Sequence, residues 1–257
     1  MSGTAEPVDH WQSLRNHTRA RIGLGRSGDA TPTRSVLEFN AAHALARDAV
    51  HEQLDVPTLT HGIAELGLGQ PTVVTSLART RGEYLRRPDL GRLPADLSGI
   101  SCTGAELGFV LCDGLSPGAL MRHGVPLLRT LADVTGARYS IAPPAIATQA
   151  RVALGDHIGQ AMGVQTVVVL IGERPGLSVV ASIGLYLTHL PQPGRNDAER
   201  NCVSNIHPPD GLGYAEAARV IDSLIAGARR LGRSGIDVKD TSAGGLGAAG
   251  EIAIDTR

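Results

Sequence analysis

The chain has 257 residues and is 42% hydrophobic, which is enough to bury a sizeable core in one α/β domain, with or without an N-terminal helical subdomain. Its 24 Lys and Arg side chains nearly balance 25 Asp and Glu side chains, and the formal net charge is -1. Composition and charge therefore exclude a small disulfide-stapled protein and give no general attraction to nucleic acid or an anionic membrane.

Helical patterns occupy the first hundred residues. Apolar side chains from Ser35 to Leu54 recur at near-helical spacing, which predicts an amphipathic helix. Shorter helical pieces follow between Val56 and Leu97, and the basic, turn-rich stretch from Tyr84 to Arg92 is expected to be a surface loop. We expect residues 1–100 to form an N-terminal helical region.

From residue 107 onward, predicted strands alternate with predicted helices. The strands are Leu107 to Cys112, Arg138 to Ala142, Thr166 to Ile171 and Val179 to Leu187, and the helices are Ala119 to Val134, Asp156 to Met162 and Tyr214 to Leu231. Such alternation predicts βαβ units in a Rossmann-like, mainly parallel sheet flanked by helices. This α/β domain is expected to span residues 101–240, followed by a disordered tail, 241–257.

One predicted strand ends in a loop that is a candidate binding site. The apolar run Val167 to Ile171 stops at Gly172, and Glu173 and Arg174 follow between glycines and a proline. Ligands of open α/β sheets sit beyond the carboxyl ends of parallel strands, so Glu173 is a candidate ligand contact. The other interpretation is a solvated carboxylate paired with Arg174.

Two further loops carry polar groups. Cys112 ends a predicted strand and is interpreted as a small buried hydrophobe, which leaves Asp113 as the better ligand contact of that pair. The stretch from Asn201 to Pro209 is rich in short polar side chains. It is expected to be a loop that either presents hydrogen-bonding groups to a ligand or turns the chain before the closing helix.

Other motifs argue against several classes of enzyme. The glycine patterns at Gly23 to Gly28 and Gly245 to Gly250 lack the preceding strand and the following helix that a dinucleotide fingerprint needs. Gly-x-Ser-x-Gly is absent, so the sequence shows no nucleophile elbow. Three cysteines without Cys-x-x-Cys, and histidines without metal-ligand spacing, predict neither a disulfide framework nor a metal site. Without a signal peptide or a long apolar run, we expect a soluble, cytoplasmic protein.

Several ordered motifs, taken together, resemble the small (light) subunit of ethanolamine ammonia-lyase. They are Ala20 to Gly28, Tyr84 to Arg92, Arg151-Val152 with Asp156 to Gly159, Gly172 to Gly176, Arg200 to His207, and Ser234 to Ile236. The similarity spans roughly residues 11 to 240. It implies a chain that pairs with a large catalytic TIM-barrel subunit and helps to enclose adenosylcobalamin at their interface, where ethanolamine is converted by radical chemistry into acetaldehyde and ammonia.

The resemblance also implies which residues contact the cofactor. The cobalamin contacts of the small subunit fall on Val152, Glu173 and Cys202, none of which needs to be a catalytic acid or base, and no metal ligand is implied. No histidine of this chain has Asp two residues before it, which agrees with a base-on cofactor. Residues 1–100 would contact the partner, through basic segments such as Arg15 to Arg26.

Two points stay open at this stage. The resemblance implies a cytoplasmic location and leaves a bacterial microcompartment open, but many family members carry a long N-terminal extension for packaging, and here ten residues precede Trp11. The alternative function is a free-standing α/β module that carries or senses cobalamin through the same strand-end loops. Stable cofactor binding by the isolated chain would favour that alternative.

Overall fold

A computed structural model describes residues 10–242, in which six strands form one mixed sheet. The strands are β1 (Thr72–Thr75), β2 (Leu107–Cys112), β3 (Ala145–Thr148), β4 (Thr166–Gly172), β5 (Ile183–His189) and β6 (Asn201–Ile206). The α-helices are α1 (Gln12–Arg15), α2 (Thr33–His51), α3 (Val56–Ala64), α4 (Arg81–Arg86), α5 (Pro117–Thr135), α6 (Leu154–Met162) and α7 (Tyr214–Leu231).

The strand order is β1-β3-β2-β4-β5-β6, and only the first four strands are parallel. β5 runs antiparallel to β4, and β6 runs antiparallel to β5. The expected Rossmann-like sheet is therefore not confirmed, although the α/β class is. The physical reason lies in the connection from Gly172 to Ile183, which contains no crossover helix, whereas a parallel neighbour requires one or a comparably long connection.

Alternate side chains of the strands point into two separate cores. On one face, Phe109, Leu111 and Leu170 pack with apolar side chains of α3, α5 and α7. On the other face, Val110 and Val169 pack with the apolar side of α6. Because the central strands β2 and β4 are buried on both faces, they show the continuous apolar sequence that was used to predict them.

Several predicted elements are confirmed and others are wrong. The helix expected from Tyr214 to Leu231 matches α7 at both ends, and β2 also matches at both ends. The strand expected at Arg138 to Ala142 is wrong. Ile141 forms only an isolated bridge with Leu107, and β3 begins after two prolines, at Ala145.

Two strands were missed by the sequence analysis. β1 lies in the stretch predicted to hold short helical pieces, and β6 lies in the stretch predicted to be a loop. Both are edge strands of the sheet, and their burial is intermittent rather than continuous. The strand expected from Val179 to Leu187 begins only at Ile183 and ends at His189. The expected tail at 241–257 lies almost wholly outside the described residues.

The N-terminal arm packs loosely on this core. Of the 19 residues in α2, Ala46 alone is buried, whereas Leu37 and Leu45 are 63% and 61% exposed. The glycine pattern before it is confirmed as a loop rather than a dinucleotide fingerprint, because three of its glycines have positive φ and α2 begins only at Thr33. An amphipathic helix whose apolar residues stay in solvent leaves a face free for another protein.

Two glycines allow the ends of β2 and β4 to approach closely. A Cβ at Gly172 would lie 2.1 Å from the carbonyl oxygen of Ser116, and one at Gly114 would lie 2.2 Å from the carbonyl oxygen of Gly172. Leu115 N–H donates a hydrogen bond of 3.0 Å to the same Gly172 carbonyl. A side chain at either position would push the two strand ends apart.

We expect Gly172→Ala to lower the free energy of unfolding by about 1–3 kcal/mol, the usual cost of forcing extra atoms into a packed site. Gly99→Ala is the matched control, because a Cβ there would meet only Thr72 Cγ2, at an ordinary 3.5 Å. Urea unfolding followed by circular dichroism measures both. Equal midpoints for the two variants would contradict the proposed close approach.

Candidate functional site

The carboxyl ends of the four parallel strands lie at one edge of the sheet, and those of β2, β3 and β4 border a cleft there. Its volume is about 450 Å³, and it is lined by Tyr84, Gly114, Leu115, Arg151, Val152, Ile171, Gly172, Glu173, Arg174 and Tyr186. The lining therefore combines residues that follow β2 and β3, the last two residues of β4 and the two after them, one tyrosine from α4 and one from β5. This is the place at which open α/β sheets bind ligands.

Glu173 is held in place by the backbone around it. Its N–H donates to the carbonyl oxygen of Ser182, and its carboxylate lies over Gly184, where a Cβ would come within 3.1 Å of Oε1. The two carboxylate oxygens accept one shared hydrogen bond from Asn205 N–H, at 3.3 and 3.2 Å. The Glu173 carboxylate thus contacts a backbone amide rather than Arg174, and it retains unused acceptor capacity toward the cleft.

Asp113 supports the part of the cleft that Arg151 and Val152 line. Its side chain is buried, and its two carboxylate oxygens accept hydrogen bonds from Gln149 N–H at 2.8 Å and from Ala150 N–H at 2.9 Å. Burial raises the pKa of this carboxyl, against the opposing effects of the two amides and of Arg81. Asp113 is therefore not the ligand contact predicted from the sequence. It positions the segment that leads to Arg151 and Val152.

A buried tyrosine, Tyr84, lies in the same part of the cleft. Tyr84 is fully buried, its hydroxyl donates to the carbonyl oxygen of Ala150 at 3.0 Å, and the guanidinium groups of Arg81 and Arg151 lie 4.9 and 4.5 Å from its ring centroid. The expectation that Tyr84 belongs to a surface loop is wrong. Gly91 permits this packing, because a Cβ there would lie 2.8 Å from the tyrosine ring.

Cys202 lies beside the cleft rather than in its lining. It is exposed on β6 and pairs across the sheet with Tyr186, whose ring lines the cleft. Partial burial raises the pKa of Cys202, against the opposing effect of the neighbouring Tyr186 hydroxyl. Val152 and Glu173 therefore line one cleft, and Cys202 stands one residue away from it. Cys112, in contrast, is fully buried and burial raises its pKa strongly, which confirms its interpretation as a small buried hydrophobe.

A second cleft of about 530 Å³ adjoins the first and shares Arg151 and Val152 with it. Arg200, which lines this second cleft, forms an ion pair with Asp156 in which each side chain is 2% exposed. Burial raises the pKa of Asp156, and the hydrogen bond and charge of Arg200 oppose that effect. Spacing alone gave no indication of this pair, because its members come from α6 and from the residue before β6.

Neither cleft has the composition of a metal centre. Among residues 10–242, no group of three or more His, Cys, Asp or Glu side chains is placed to hold a metal ion. In the same part of the chain, no helix combines the length and apolar character needed to cross a bilayer.

Comparison with known proteins gives one consistent result. The family model of the ethanolamine ammonia-lyase light chain matches residues 8–239. The ethanolamine ammonia-lyase small subunit of Rhodococcus erythropolis is 64% identical over 245 residues, which cover 95% of each chain. The small subunits of Rhodopseudomonas palustris and Bradyrhizobium diazoefficiens are 51% and 47% identical over 250 residues each, covering 94% and 95% of both chains respectively.

The positioning role of Asp113 leads to a stability prediction. We expect Asp113→Asn to lower the free energy of unfolding by about 1–3 kcal/mol, because the NH2 group of the asparagine side chain cannot accept a hydrogen bond and would leave one buried N–H unpaired. Asp237→Asn, which alters an exposed ion pair with Arg233, is the control and should change stability little. Urea unfolding of the two variants checks the prediction, and an unaffected Asp113→Asn would contradict it.

Proposed function

Because the chain belongs to the family of ethanolamine ammonia-lyase light chains, we propose that it binds adenosylcobalamin together with a large catalytic subunit. The complex would convert ethanolamine into acetaldehyde and ammonia. The observation that carries this proposal is the placement of Val152 and Glu173 in one cleft at the carboxyl edge of the sheet, with Cys202 beside it.

The chemistry of the cleft suits the edge of a corrin ring. Corrin carries amide side chains, which donate hydrogen bonds, and the Glu173 carboxylate faces the cleft with acceptor capacity beyond its long bond to Asn205. Val152 and Tyr186 add apolar contact area to the lining of the same cleft. These residues therefore fit the periphery of the cofactor without any covalent or metal bond to this chain.

The size of the cleft supports a shared site. Enclosed pockets for drug-sized ligands measure about 300–1,000 Å³, and adenosylcobalamin is much larger than such a ligand. Two adjoining clefts of about 450 and 530 Å³ would cover one side of it and leave the other side for the large subunit. We therefore propose that the cofactor lies at the interface and is bound in its base-on form, which agrees with the absence of an Asp-x-His pair from the sequence.

The side chains at the site are suited to binding rather than to proton transfer. Asp113 and Asp156 are committed to buried hydrogen bonds and ion pairs, and neither lines a cleft. When bound, adenosylcobalamin would supply the radical chemistry that the reaction needs. This chain would bind and orient it, so we assign no catalytic residue here.

The large subunit is expected to cover the N-terminal arm. Val36 and Phe39, two exposed apolar residues of α2, border a groove of about 570 Å³ that also includes Arg21 and Leu24, and the groove reaches Leu177 in the loop that carries Glu173. An interface core needs apolar area with a polar rim, and this arm supplies both. We propose that the partner is a TIM barrel, and that the complex operates in the cytoplasm.

The first prediction concerns assembly and turnover. Co-expression with the large-subunit gene of the same genome should give a complex that deaminates ethanolamine once adenosylcobalamin is added. Each subunit alone should be inactive, because the cofactor site is divided between the two chains. If the chains do not associate, while this chain alone changes the cobalamin spectrum, the free-standing carrier or sensor becomes the better account.

A second prediction concerns Glu173. In the assembled complex, Glu173→Gln should weaken adenosylcobalamin binding by about 5-fold to 10-fold, because hydrogen bonds to a charged acceptor are stronger than neutral ones. The side-chain oxygen of Gln can still accept from Asn205 N–H, so the unfolding midpoint should change little. Equilibrium dialysis measures the affinity, with Glu216→Gln in the first turn of α7 as a control. If the two variants bind the cofactor with equal affinity, Glu173 is not part of the binding site.

A third prediction concerns the partner surface. Replacing Arg21 and Arg26 by Ala should weaken co-purification with the large subunit, because Arg21 borders the apolar groove and both side chains are exposed. The control is Arg129→Ala, an exposed arginine on α5 that lies outside this groove. Association that is unchanged in the double variant would count against the N-terminal arm as the interface.

A further inference from the structure

The second cleft, which adjoins the Glu173 cleft, has an excess of positive charge. The ionisable side chains in its lining are Arg92, Arg151, His157, Arg195, Asp197 and Arg200. Four of these residues are arginines and one is a carboxylate. The pairing of each charge decides whether the excess is real.

Two of the four arginines are neutralised by carboxylates. Arg195 Nη1 bonds Glu199 at 2.6 Å. Arg200 pairs with the buried Asp156 and, at 2.9 Å, with Asp197. The one carboxylate in the lining is thus already engaged, and no acidic group of this cleft is left over.

The other two arginines, Arg92 and Arg151, have no ion-pair partner among residues 10–242. The nearest acidic residue in sequence to Arg92 is Asp89, and it bonds Arg87 instead. Arg151 stacks on Tyr84, and its Nε is buried without a hydrogen-bond acceptor in the described part of the chain. When a guanidinium stacks on an aromatic ring, its N–H donors point outward in its own plane, parallel to the ring. It can therefore still bind an anion.

The surroundings of Arg151 make this positive charge unfavourable without a ligand. Arg81 shares the Tyr84 ring with it and is balanced by Asp113. Burial lowers the pKa of Arg81, and the charge of Arg151 lowers it further. Helix α6 also begins at the cleft, after Val152 and Ala153, so the positive end of its dipole faces the same space.

We propose that Arg151 and Arg92 form a subsite for a phosphate-type anion, and that its occupant is the phosphodiester of the nucleotide loop of adenosylcobalamin. This inference rests on the proposed function. The phosphodiester carries the negative charge of the nucleotide loop, whereas the amide side chains of the corrin are neutral and suit Glu173. The two clefts meet at Arg151 and Val152, so one ligand can span them. Guanidinium groups bind phosphate oxygens through two parallel N–H donors.

The test uses the complex with the large subunit and two corrinoids that differ only in the phosphate, adenosylcobinamide and adenosylcobinamide phosphate. Equilibrium dialysis gives both dissociation constants without turnover. The wild-type complex should bind the phosphate form about 10-fold to 100-fold more tightly, as expected for charge-assisted hydrogen bonds. Arg151→Gln should remove most of that preference and Arg92→Gln part of it, whereas Arg129→Gln on α5 should keep it.

Each other outcome overturns the inference in a distinct way. Equal affinity of the wild-type complex for the two corrinoids, or an intact preference in Arg151→Gln, would exclude the subsite while leaving cobalamin binding in place. Binding of no corrinoid by the wild-type complex would refute the proposed function itself.

Two further measurements separate the remaining sources of an anion. Stabilisation of the wild-type small subunit by inorganic phosphate, lost in Arg151→Gln without any change in corrinoid preference, would assign the site to free phosphate. Weaker co-purification of Arg151→Gln with the large subunit, with the preference intact in the complex that still forms, would assign Arg151 to a carboxylate of the large subunit. Arg151→Lys keeps the charge and should retain an intermediate preference, provided that its unfolding midpoint matches that of the wild type.

Discussion

The buried carboxylate of Asp113 holds together the edge of the sheet on which the candidate site depends. It accepts hydrogen bonds from two backbone N–H groups that follow β3, and it lies 3.5 Å from a guanidinium nitrogen of Arg81. Arg81 in turn donates to the carbonyl oxygens of Val50 and Gly114. One buried charge therefore connects the end of α2, the loop after β2 and the loop after β3. Burying a carboxylate is costly, and here that cost is offset by hydrogen bonds that fix the cleft.

At the same edge, some charged side chains have an ion-pair partner within the described part of the chain and others do not. Asp113 and Arg81, and likewise Asp156 and Arg200, are paired in the interior. Arg151, which shares the Tyr84 ring with Arg81, has no such partner among the described residues. A folded protein seldom leaves a guanidinium partly buried without an acceptor, because an unpaired donor in a low-dielectric site is unfavourable. Such imbalance is reasonable in a chain that binds a ligand or a partner at that point.

The sequence predicted the central part of the fold better than its edges. β2 and β4 are long apolar runs buried on both faces, and α7 has a strong helical period, so local pattern determined them. β1 and β6 have one partner strand each and partly exposed faces, and their polar residues resemble those of loops. Whether β5 runs parallel or antiparallel to β4 depends on the segment that connects the two strands. The periodicity within β5 therefore cannot predict its direction.

The candidate site shows the same limit for a different reason. Glu173 was predicted because a buried strand ends next to it, which is a local signal. The importance of Tyr84, Tyr186 and Arg200 arises from contacts between segments far apart in the chain, such as the pairing of Arg200 with Asp156. Asp113 was predicted to be a ligand contact because it follows the end of a predicted strand. The structure contradicts that prediction, since its carboxylate accepts hydrogen bonds from the amides of Gln149 and Ala150, which are near it only once β3 is paired beside β2. A carboxylate at a strand end can therefore bind a ligand or support the loop that does, and only the three-dimensional position of backbone donors distinguishes the two.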